Sequence, residues 1–433
     1  MTAPAKLQSV RGMNDLLPAG IGVWHRVEAA LRDTAWAYGY QEIRTPVVEK
    51  TALFTHSIGA SSDIVQKEMY TFIDGGGEDL ALRPEATAST VRACNQHGLL
   101  HNQQQRLWYL GPMFRRERPQ KGRYRQFHQF GVEAFGWAGP DIDAEVIRLS
   151  AAIWRRLGIA DVELQINTLG SPSVADAYRD ALRDYFAAHR DALDADSARR
   201  LDTNPLRILD SKVAATREVI AGAPDIRDFF DAAAAAHFDG LCDSLRRAGV
   251  EYAVNPRLVR GLDYYTATVF EWVAGDQLGA QNAVCAGGRY DRLVEKRGGR
   301  PSPAVGFALG LERLVELVQP GDAADGAVQI YVACAADSAD AADAADAAAA
   351  AVTVSELLRR DGLTVAMHCG GGKLAKQLRR AAQSGARVAV ITGLPGDGGE
   401  SAGATVQAKP LRGQGSEQRI GIDALVAWCR KHI

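Results

Sequence analysis

The sequence predicts an α+β protein, and three features of the chain carry this prediction. Segments typical of strands and short connecting helices occupy residues 1–170 and return at 251–320. The stretch between them, 171–250, is rich in Ala, Asp and Arg and has the character of helices. From 327 to 433 strands and helices alternate, which is typical of a compact α/β domain with a mostly parallel sheet. We therefore predict a strand-rich domain with a helical insertion, followed by a separate α/β domain.

The first elements follow from apolar spacing and from residues that break regular structure. Apolar residues recur at helical spacing and predict a helix that Gly39 ends; they are Trp24, Val27, Leu31 and Ala35. A strand over Glu42–Glu49 follows, with Pro46 suited to an edge or a bulge. Tyr70–Ile73 and Asp79–Leu82 flank a Gly-rich turn and predict a hairpin.

The segment Leu82–Thr87 leads into the next predicted helix. Glu85 stands just before the start of that helix, where a carboxylate is stabilised by the helix dipole. Its position therefore fits a capping group as well as a ligand-binding residue, and the spacing alone leaves both roles open.

A hairpin over Leu107–Gly136 is the most informative stretch. Its first strand is predicted to end near Phe114 and Arg115, and its second to span Arg125–Phe135. Because side chains alternate along a strand, one face of the second strand carries Arg125, Phe127, Gln129, Gly131 and Glu133. The opposite face is apolar in its second half and is expected to pack on the core. The first face can stack a flat ring on Phe127 and hold a small polar ligand between Gln129 and Glu133.

The loop of this hairpin is strongly basic. Six arginine and lysine residues lie between Arg115 and His128, and Glu117 alone opposes them. Such a loop fits a nucleotide triphosphate, a nucleic acid or both. Charge alone is equally compatible with a solvated hairpin tip, and the mixed face of the second strand favours a binding site.

The remaining elements follow in order. Helix 141–157 and strand 162–168 precede the insertion. Three predicted segments follow it: a strand over 257–273, a strand, Gly-Gly turn and helix over 283–296, and a strand running into a helix over 304–318. Gly306 and Gly310 suggest close approach by a ligand or another strand. In the last domain, strands 328–334, 363–368 and 387–392 alternate with helices 339–360 and 374–384 before two short strands and a final helix.

Two glycine- or acid-rich features of the last domain are interpreted as structural. Gly370-Gly371-Gly372-Lys373 lacks the spacing of a phosphate loop and predicts a tight turn into a helix. Asp337, Asp340, Asp343 and Asp346 drift around their helix by about 60° a step and form no single acidic face.

Composition limits the cellular context. The net charge of −2 offers no global basic excess, so any nucleic-acid binding must be local. The six cysteines are scattered without metal-ligand spacing, and no apolar run approaches the length of a membrane span. We expect a cytoplasmic protein with reduced thiols, no structural metal and no membrane segment.

Six motifs then coincide in one order along the chain. They are RGMNDLLP (11–18), LRPEAT (82–87), FRRERPQKGRYRQFHQFGVE (114–133), RLVRGLDYYT (257–266), CAGGRYD (285–291) and GFALGLERL (306–314). Together they resemble the bacterial histidyl-tRNA synthetases, which are class II aminoacyl-tRNA synthetases. The resemblance covers nearly the whole chain: Gly39–Pro46 resembles class II motif 1, FRRE motif 2 and GLERL motif 3.

The resemblance implies a fold and a reaction. Residues 1–170 and 251–320 would form a catalytic domain around an antiparallel sheet of six to seven strands, 171–250 a helical insertion, and 327–433 an anticodon-binding domain. The protein would be a homodimer that attaches L-histidine to tRNA-His through a histidyl-adenylate, using ATP with Mg²⁺.

The resemblance also implies roles for particular residues. Arg115 and Arg260 would be the catalytic arginines at the α-phosphate and would contact histidine. The other histidine-binding residues would be Glu85, Ala86, Thr87, Gln129, Glu133, Tyr264, Tyr265 and Tyr290. ATP would be bound by Arg115, Glu117, Arg123, Phe127, Arg260 and Arg313, with adenine between Phe127 and Arg313. Arg118 and Gln120 would approach the acceptor end of the tRNA.

One local departure and one alternative accompany the resemblance. Ala86 stands where the family often has glycine, which puts the local geometry in doubt. The alternative function is a catalytically inactive, synthetase-like regulatory subunit of histidine biosynthesis. Such proteins typically lack the C-terminal domain and lose catalytic residues, whereas this chain has Glu85, Arg115, Arg260 and Arg313.

Overall fold

A computed structural model describes residues 7–59, 62–262, 264–275, 278, 282–318, 328–335, 341–394, 405–412 and 416–433, without the side chains of 341–344. The chain divides into two compact units, Met1–Pro320 and Gly321–Ile433. None of the described helices is long and apolar enough to cross a bilayer.

The described elements of the first unit are the following. Its helices are α1 (Ile21–Ala37), α2 (Thr51–Ile58), α3 (Thr87–Gln96), α4 (Pro140–Leu157), α5 (Pro172–Ala188), α6 (Ala195–Arg200), α7 (Ala214–Ala221), α8 (Ala232–Arg247), α9 (Leu293–Lys296) and α10 (Leu311–Leu317). Its strands are β1 (Gln41–Glu42), β2 (Val48–Lys50), β3 (Tyr70–Ile73), β4 (Asp79–Leu82), β5 (Gln105–Phe114), β6 (Gln126–Phe135), β7 (Val162–Thr168), β8 (Ala253–Val254), β9 (Thr268–Ala274), β10 (Ala283–Arg289) and β11 (Ala304–Gly310).

The large sheet of this unit has eight strands among the described residues, in the order β1-β5-β6-β11-β10-β9-β7-β8. The six long strands from β5 to β7 pair antiparallel with their neighbours, and parallel pairs with β1 and β8 close the two ends. This arrangement confirms the predicted α+β class. The six antiparallel strands match the six to seven that the family resemblance implies, and the two-residue strands β1 and β8 add a parallel pair at each end.

One face of the sheet is covered by helices α1, α4, α8 and α10. Phe130 and Val132 of β6 are fully buried in this core, together with Val27 of α1 and Ile147 of α4. The predicted apolar side of the second hairpin strand is therefore confirmed. Its other side faces away from the helices and forms part of a cleft.

A buried polar cluster joins these helices to the sheet. Asp143 of α4 accepts hydrogen bonds from Thr268 Oγ1 (2.6 Å) and lies 2.8 Å from His237 Nε2. It also forms an ion pair with the fully buried Arg289 of β10, whose guanidinium donates to the carbonyl oxygens of Trp137 (2.9 Å) and Gly139 (3.0 Å). Burial alone would raise the pKa of Asp143, but these partners hold it below its ordinary value. The cluster thus compensates a carboxylate that has no access to water.

Three predicted elements differ from the structure. The strand over Glu42–Glu49 is split into β1 and β2, which belong to different sheets, with Pro46 between them. The predicted strand 257–273 begins only at Thr268, and several described residues before it line the cleft described below instead of pairing in a strand. The Gly-Gly pair at Gly287 and Gly288 lies within β10 rather than in a turn: a Cβ at Gly287 would lie 2.3 Å from a carbonyl oxygen of β11.

The insertion has a core of its own. Tyr178, Leu182 and Phe186 of α5 are buried against Ile208 and Ile226 of two short 3₁₀ helices. Ser171 caps α5 by accepting a hydrogen bond from the backbone N–H of Val174 (3.3 Å), as its Ser-Pro start predicts.

The second unit contains a five-stranded sheet. Its described elements are β12 (Ile330–Cys334), α11 (Ala341–Arg360), β13 (Val365–Met367), α12 (Leu374–Gln383), β14 (Val388–Thr392), β15 (Thr405–Pro410), β16 (Gln418–Gly421) and α13 (Ile422–His432). The strands lie in the order β13-β12-β14-β15-β16, parallel over the first three and antiparallel thereafter. The alternating α/β prediction is confirmed.

The two structural features predicted in this unit have different outcomes. Gly370, Gly371 and Gly372 all have positive φ (93°, 61° and 93°) and turn the chain into α12, as predicted. Most of the Asp-rich repeat and of loop 393–404 lies outside the described residues.

We predict that Arg289→Ala lowers the free energy of unfolding by about 3–5 kcal/mol, because it leaves the buried carboxylate of Asp143 without its cationic partner. Urea denaturation followed by tryptophan fluorescence measures this loss. Arg183→Ala removes an exposed Arg–Asp pair on α5 and should cost at most about 1 kcal/mol. Equal losses in the two variants would contradict a special contribution of the buried cluster.

Candidate active site

A cleft of about 1050 Å³ lies on the face of the large sheet opposite the helices. Its floor is formed by β6, β9, β10 and β11, and its walls by the hairpin loop, the start of α3 and part of the insertion. Because the sheet presents alternate residues to this side, the polar row predicted on β6 is exposed to the cleft.

The cleft brings together most of the residues predicted to bind ligands. Those that line it are Glu85, Thr87, Arg115, Glu117, Arg123, Phe127, Gln129, Glu133, Arg260, Tyr264, Tyr265, Tyr290 and Arg313. Three predicted residues lie elsewhere. Ala86 is fully buried beneath the cleft against Tyr109 and Met113, and Arg118 and Gln120 are exposed on the hairpin loop.

Ala86 fits its position without strain. It is the residue before α3, and its φ of −114° is ordinary for an L-residue, so this backbone does not require glycine. The methyl group packs among apolar neighbours. The doubt raised by this departure from the family pattern is thereby removed for the structure of the backbone.

Glu133 is the most deeply buried carboxylate of the cleft. Its Oε1 accepts a hydrogen bond from Thr87 Oγ1 (2.7 Å), and its Oε2 accepts one from the hydroxyl of Tyr290. Only 1% of the residue is exposed. Burial raises the pKa of Glu133 to about 8, although the two hydroxyls oppose the rise and nearby Glu85 adds to it.

Two glycines make room for this arrangement. A Cβ at Gly306 of β11 would fall 1.9 Å from Glu133 Oε2, so the carboxylate occupies the space that a side chain would need. A Cβ at Gly131 of β6 would fall 2.3 Å from the ring of Tyr109. The gap predicted at Gly131 is thus filled by a tyrosine from β5, whose register partner is Gly131 itself. Sequence reasoning missed Tyr109, because only the pairing of β5 with β6 reveals it.

Glu85 lies in the capping arrangement that its position allows. It accepts hydrogen bonds from the backbone N–H groups of Thr87 (2.7 Å) and Ala88 (2.9 Å) at the start of α3. Burial raises its pKa despite these bonds. The same side chain lines the cleft, so the structural role and a binding role are compatible.

Three tyrosines form an aromatic wall beside Glu133. The ring centroids of Tyr264 and Tyr265 are 4.8 Å apart, and those of Tyr264 and Tyr290 are 5.5 Å apart. A Cβ at Gly288 would lie 2.8 Å from the ring of Tyr265, so the second glycine of GGRY accommodates this wall.

Each of the four cleft arginines predicted to bind ligands is held by a group of the protein. Arg115 Nε donates to the carbonyl oxygen of Pro84 (2.8 Å), and its guanidinium carbon lies over the ring of Phe127, 5.2 Å from the centroid. Arg260 is paired with Glu271 of β9 (2.5 Å). Sequence reasoning did not identify Glu271, because its partner lies on a segment whose path the sequence does not indicate.

The other two arginines are held at the hairpin loop. Arg123 forms an ion pair with Glu117 (2.7 Å). Arg313 Nε donates to the carbonyl oxygen of Gly122 (3.2 Å), and its Nη1 donates to that of Ala283. Two residues predicted to bind the same ligand, Glu117 and Arg123, therefore neutralise one another in this structure.

The hairpin loop is anchored rather than free. The backbone N–H of Arg125 donates to the carbonyl oxygen of Gly12 (2.7 Å), and Gly12 has a φ of +86°. A Cβ there would lie 2.8 Å from Pro119 Cγ. On the other side of the loop, Lys121 Nζ lies 3.4 Å from Glu316 Oε2 of α10 and forms an ion pair with it. The RGM turn near the N-terminus therefore fixes the base of the basic loop.

The class II aminoacyl-tRNA synthetase fold is defined by an antiparallel sheet that is backed by helices and carries a cleft between a long strand hairpin and a strand running into a helix. The histidyl-tRNA synthetase family model matches residues 12–314, well over half of the chain. The chain belongs to the histidyl-tRNA synthetase family, as its motifs predict.

Solved structures agree with this assignment. Apo histidyl-tRNA synthetase of S. aureus is 31% identical, with a TM-score of 0.78 over 98% of this chain and 100% of that one. A protein of Bacillus halodurans described as an ATP phosphoribosyltransferase regulatory subunit/histidyl-tRNA synthetase is 25% identical, with a TM-score of 0.65 over 87% of this chain and 97% of that one. Histidyl-tRNA synthetase of Nostoc sp. PCC 7120, 20% identical over 98% of this chain and 99% of that one (TM-score 0.69), shares the fold.

We predict that Glu133→Gln changes the pH dependence of stability. The pKa of about 8 in the folded state exceeds the ordinary 4.5, so the proton is held more tightly after folding. The resulting stability is complete below about pH 4.5 and is lost as the pH rises through about 8. Glutamine stays neutral over this range. Between about pH 5 and pH 9 the free energy of unfolding of the wild type should therefore fall, relative to that of the variant, by on the order of a few kcal/mol.

Urea denaturation at several pH values measures this difference. Glu163→Gln, which removes an exposed carboxylate on β7, is the control and should follow the wild-type profile. Parallel profiles for wild type and Glu133→Gln would show that the buried carboxyl does not take up a proton on folding.

Proposed function

We propose that this protein attaches L-histidine to tRNA-His through a histidyl-adenylate made from ATP. One observation supports the proposal above all: the same cleft is lined by a buried carboxyl group with tyrosines around it and by a set of arginines that includes Arg115, Arg123, Arg260 and Arg313. The first set suits an imidazole, and the second suits a triphosphate.

Histidine would occupy the deep end of the cleft. A neutral imidazole has one N–H donor and one acceptor nitrogen, which Glu133 and the hydroxyl of Tyr264 or Tyr265 can match. Glu85, Thr87 and Gln129 would hold the α-amino group, and Tyr290 would keep Glu133 in place. Because these polar groups are buried, an amino acid that left them unpaired would be rejected strongly.

ATP would lie along the hairpin. Phe127 and Arg313 would enclose adenine, with a cation–π contribution from the guanidinium. Glu117 would accept a hydrogen bond from the adenine amino group, and Arg123 would contact the γ-phosphate. Both would exchange part of their present ion pair for contacts with the nucleotide.

The first step joins the two substrates. A carboxylate oxygen of histidine attacks the α-phosphorus of ATP, and pyrophosphate leaves. Arg115 and Arg260 would stabilise the negative charge at the α-phosphate, since a guanidinium has donors to spare after one protein contact. In the second step the ribose 3′-hydroxyl of the terminal adenosine attacks the histidyl carbonyl carbon, and AMP leaves. Both steps depend mainly on positioning.

Mg²⁺ would accompany ATP and offset charge on its phosphates. Among the described residues no group of three or more His, Cys, Asp or Glu side chains could hold a metal ion. Phosphate oxygens and water would supply most of its ligands, as is usual for Mg²⁺ bound with a nucleotide. Arg115 and Arg260 carry positive charge at the α-phosphate within the protein itself.

Contacts with tRNA would involve two regions. Arg118 and Gln120 lie exposed on the hairpin loop, where the acceptor end would approach. The unit Gly321–Ile433 would bind the anticodon. We also propose that the protein acts in the cytoplasm as a homodimer.

A second candidate function is a regulatory subunit of histidine biosynthesis without ligase activity. The likeness to the Bacillus halodurans protein, which is described as a regulatory subunit as well as a synthetase, favours this second function. The arginines and carboxylates that line the cleft favour the ligase.

We predict that the purified protein catalyses histidine-dependent exchange of pyrophosphate into ATP, and that it charges tRNA-His. Exchange measures adenylate formation alone and separates the two candidates. A folded protein that shows no exchange, but binds histidine, would support the regulatory function.

We predict that Arg260→Ala lowers the exchange rate by about 10²–10³-fold or more, because charge at the α-phosphate loses a preorganised partner. Binding of histidine, measured by calorimetry, should be largely kept. Arg183→Ala on α5 is the control for loss of an arginine. Near-normal exchange in Arg260→Ala would refute a role at the α-phosphate.

A further inference from the structure

A carboxylate joins the start of α10 to the strand that carries Phe127. Glu312 lies in the first turn of α10, and its two oxygens accept the backbone N–H of His128 at 2.9 and 3.0 Å. Its Oε1 also lies 3.0 Å from His128 Nδ1. The glutamate side chain is only 11% exposed. Three close contacts therefore connect two short segments that are distant in sequence.

This contact continues the sheet where the strand pairing stops. The ladder between β6 and β11 ends at the pair Gln129–Gly310, because the chain turns into α10 at Leu311. The N–H of the next residue of β6, His128, is then satisfied by the side chain of Glu312. A partly buried backbone donor thereby keeps a partner, and the contact fixes the distance between β6 and α10 at this point.

The sequence neighbours of this pair are the two residues proposed to enclose adenine. Phe127 precedes His128, and Arg313 follows Glu312. Phe127, Arg313 and Glu312 itself line the cleft, whereas His128 does not. Arg313 is itself held by the carbonyl oxygens of Gly122 and Ala283. The Glu312–His128 contact thus determines how far the phenyl ring lies from the backbone that carries the guanidinium.

The ring of His128 is held from a second side. Trp24 of α1, which is 6% exposed, meets it edge-on with centroids 5.3 Å apart and an angle of 76°. The imidazole is therefore fixed between the helix layer and Glu312. This packing limits the movement of the strand end that carries Phe127.

We infer that Glu312 and His128 are positioning residues for the adenine of ATP: together they fix the spacing between Phe127 and Arg313. The inference rests on the proposed use of ATP in this cleft. The two residues act through their neighbours and are not required for the bond-making step.

The test measures Michaelis constants in pyrophosphate exchange. Glu312→Ala should raise KM for ATP about tenfold or more, while KM for histidine changes less than twofold. Glu312→Gln, which keeps an oxygen for the N–H of His128, should show a smaller rise. His128→Asn, which keeps a donor near the position of Nδ1, should lie closer to wild type than His128→Ala does.

Glu295→Ala is the matched control, because Glu295 is an exposed glutamate in the first turn of the short helix α9. It should leave both constants unchanged. A merely structural role for Glu312 predicts equal rises in both constants or a loss of folded protein with unchanged constants. Either result in Glu312→Ala, or an unchanged KM for ATP, would overturn the inference.

Failure of the proposed function gives a different result. If wild type shows no exchange, ATP binding by the same variants is measured directly by calorimetry. Weaker ATP binding by Glu312→Ala with unchanged histidine binding supports the positioning role even then. Absence of ATP binding by wild type overturns it. If Glu312→Ala does not fold, Glu312→Gln and the two His128 variants decide the question.

Discussion

The cleft is organised around one buried carboxyl group on its floor, that of Glu133. Its side chain extends from β6 over the register partner of Glu133 on β11, which is Gly306. Glu133 fits because Gly306 opposite it has no side chain, and because Thr87 and Tyr290 satisfy its oxygens. The neighbouring Gly131 admits the ring of Tyr109 beneath the same pocket. Glu133 thus requires glycine at position 306, and the ring of Tyr109 requires glycine at position 131.

The arginines pose the opposite problem, which is how to keep cations fixed in a partly buried space. The four arginines predicted to bind ligands are each held by the protein: Arg260 by Glu271, Arg123 by Glu117, Arg115 by a carbonyl oxygen and an aromatic face, and Arg313 by two carbonyl oxygens. Burial lowers the pKa of Arg313, and the neighbouring arginines Arg123 and Arg115 add to this effect. Such contacts reduce mutual repulsion and orient the guanidinium groups before any anion arrives.

Local patterns predicted the parts of the molecule that local forces determine. The alternation along β6 correctly placed Phe127, Gln129 and Glu133 on one face, because period two holds whatever the neighbouring strands are. The split of Glu42–Glu49 and the irregular segment before Thr268 were not predicted, because pairing with strands distant in sequence decides where these strands begin and end. Tyr109 and Glu271 were missed for the same reason. Tyr109 reaches the site through its pairing with Gly131, and Glu271 through its ion pair with Arg260, and no spacing within one strand reveals either contact.

The order of strands in the large sheet has a consequence for how the chain folds as it is synthesised. β6 ends at Phe135, but the strand that covers its other edge, β11, begins only at Ala304. The insertion between them has its own core and local helices, so it can become compact early. Until β11 emerges, the β5–β6 hairpin presents an unpaired edge beside Phe130 and Val132. Such an edge is open to pairing with other chains until the segment after the insertion has been made.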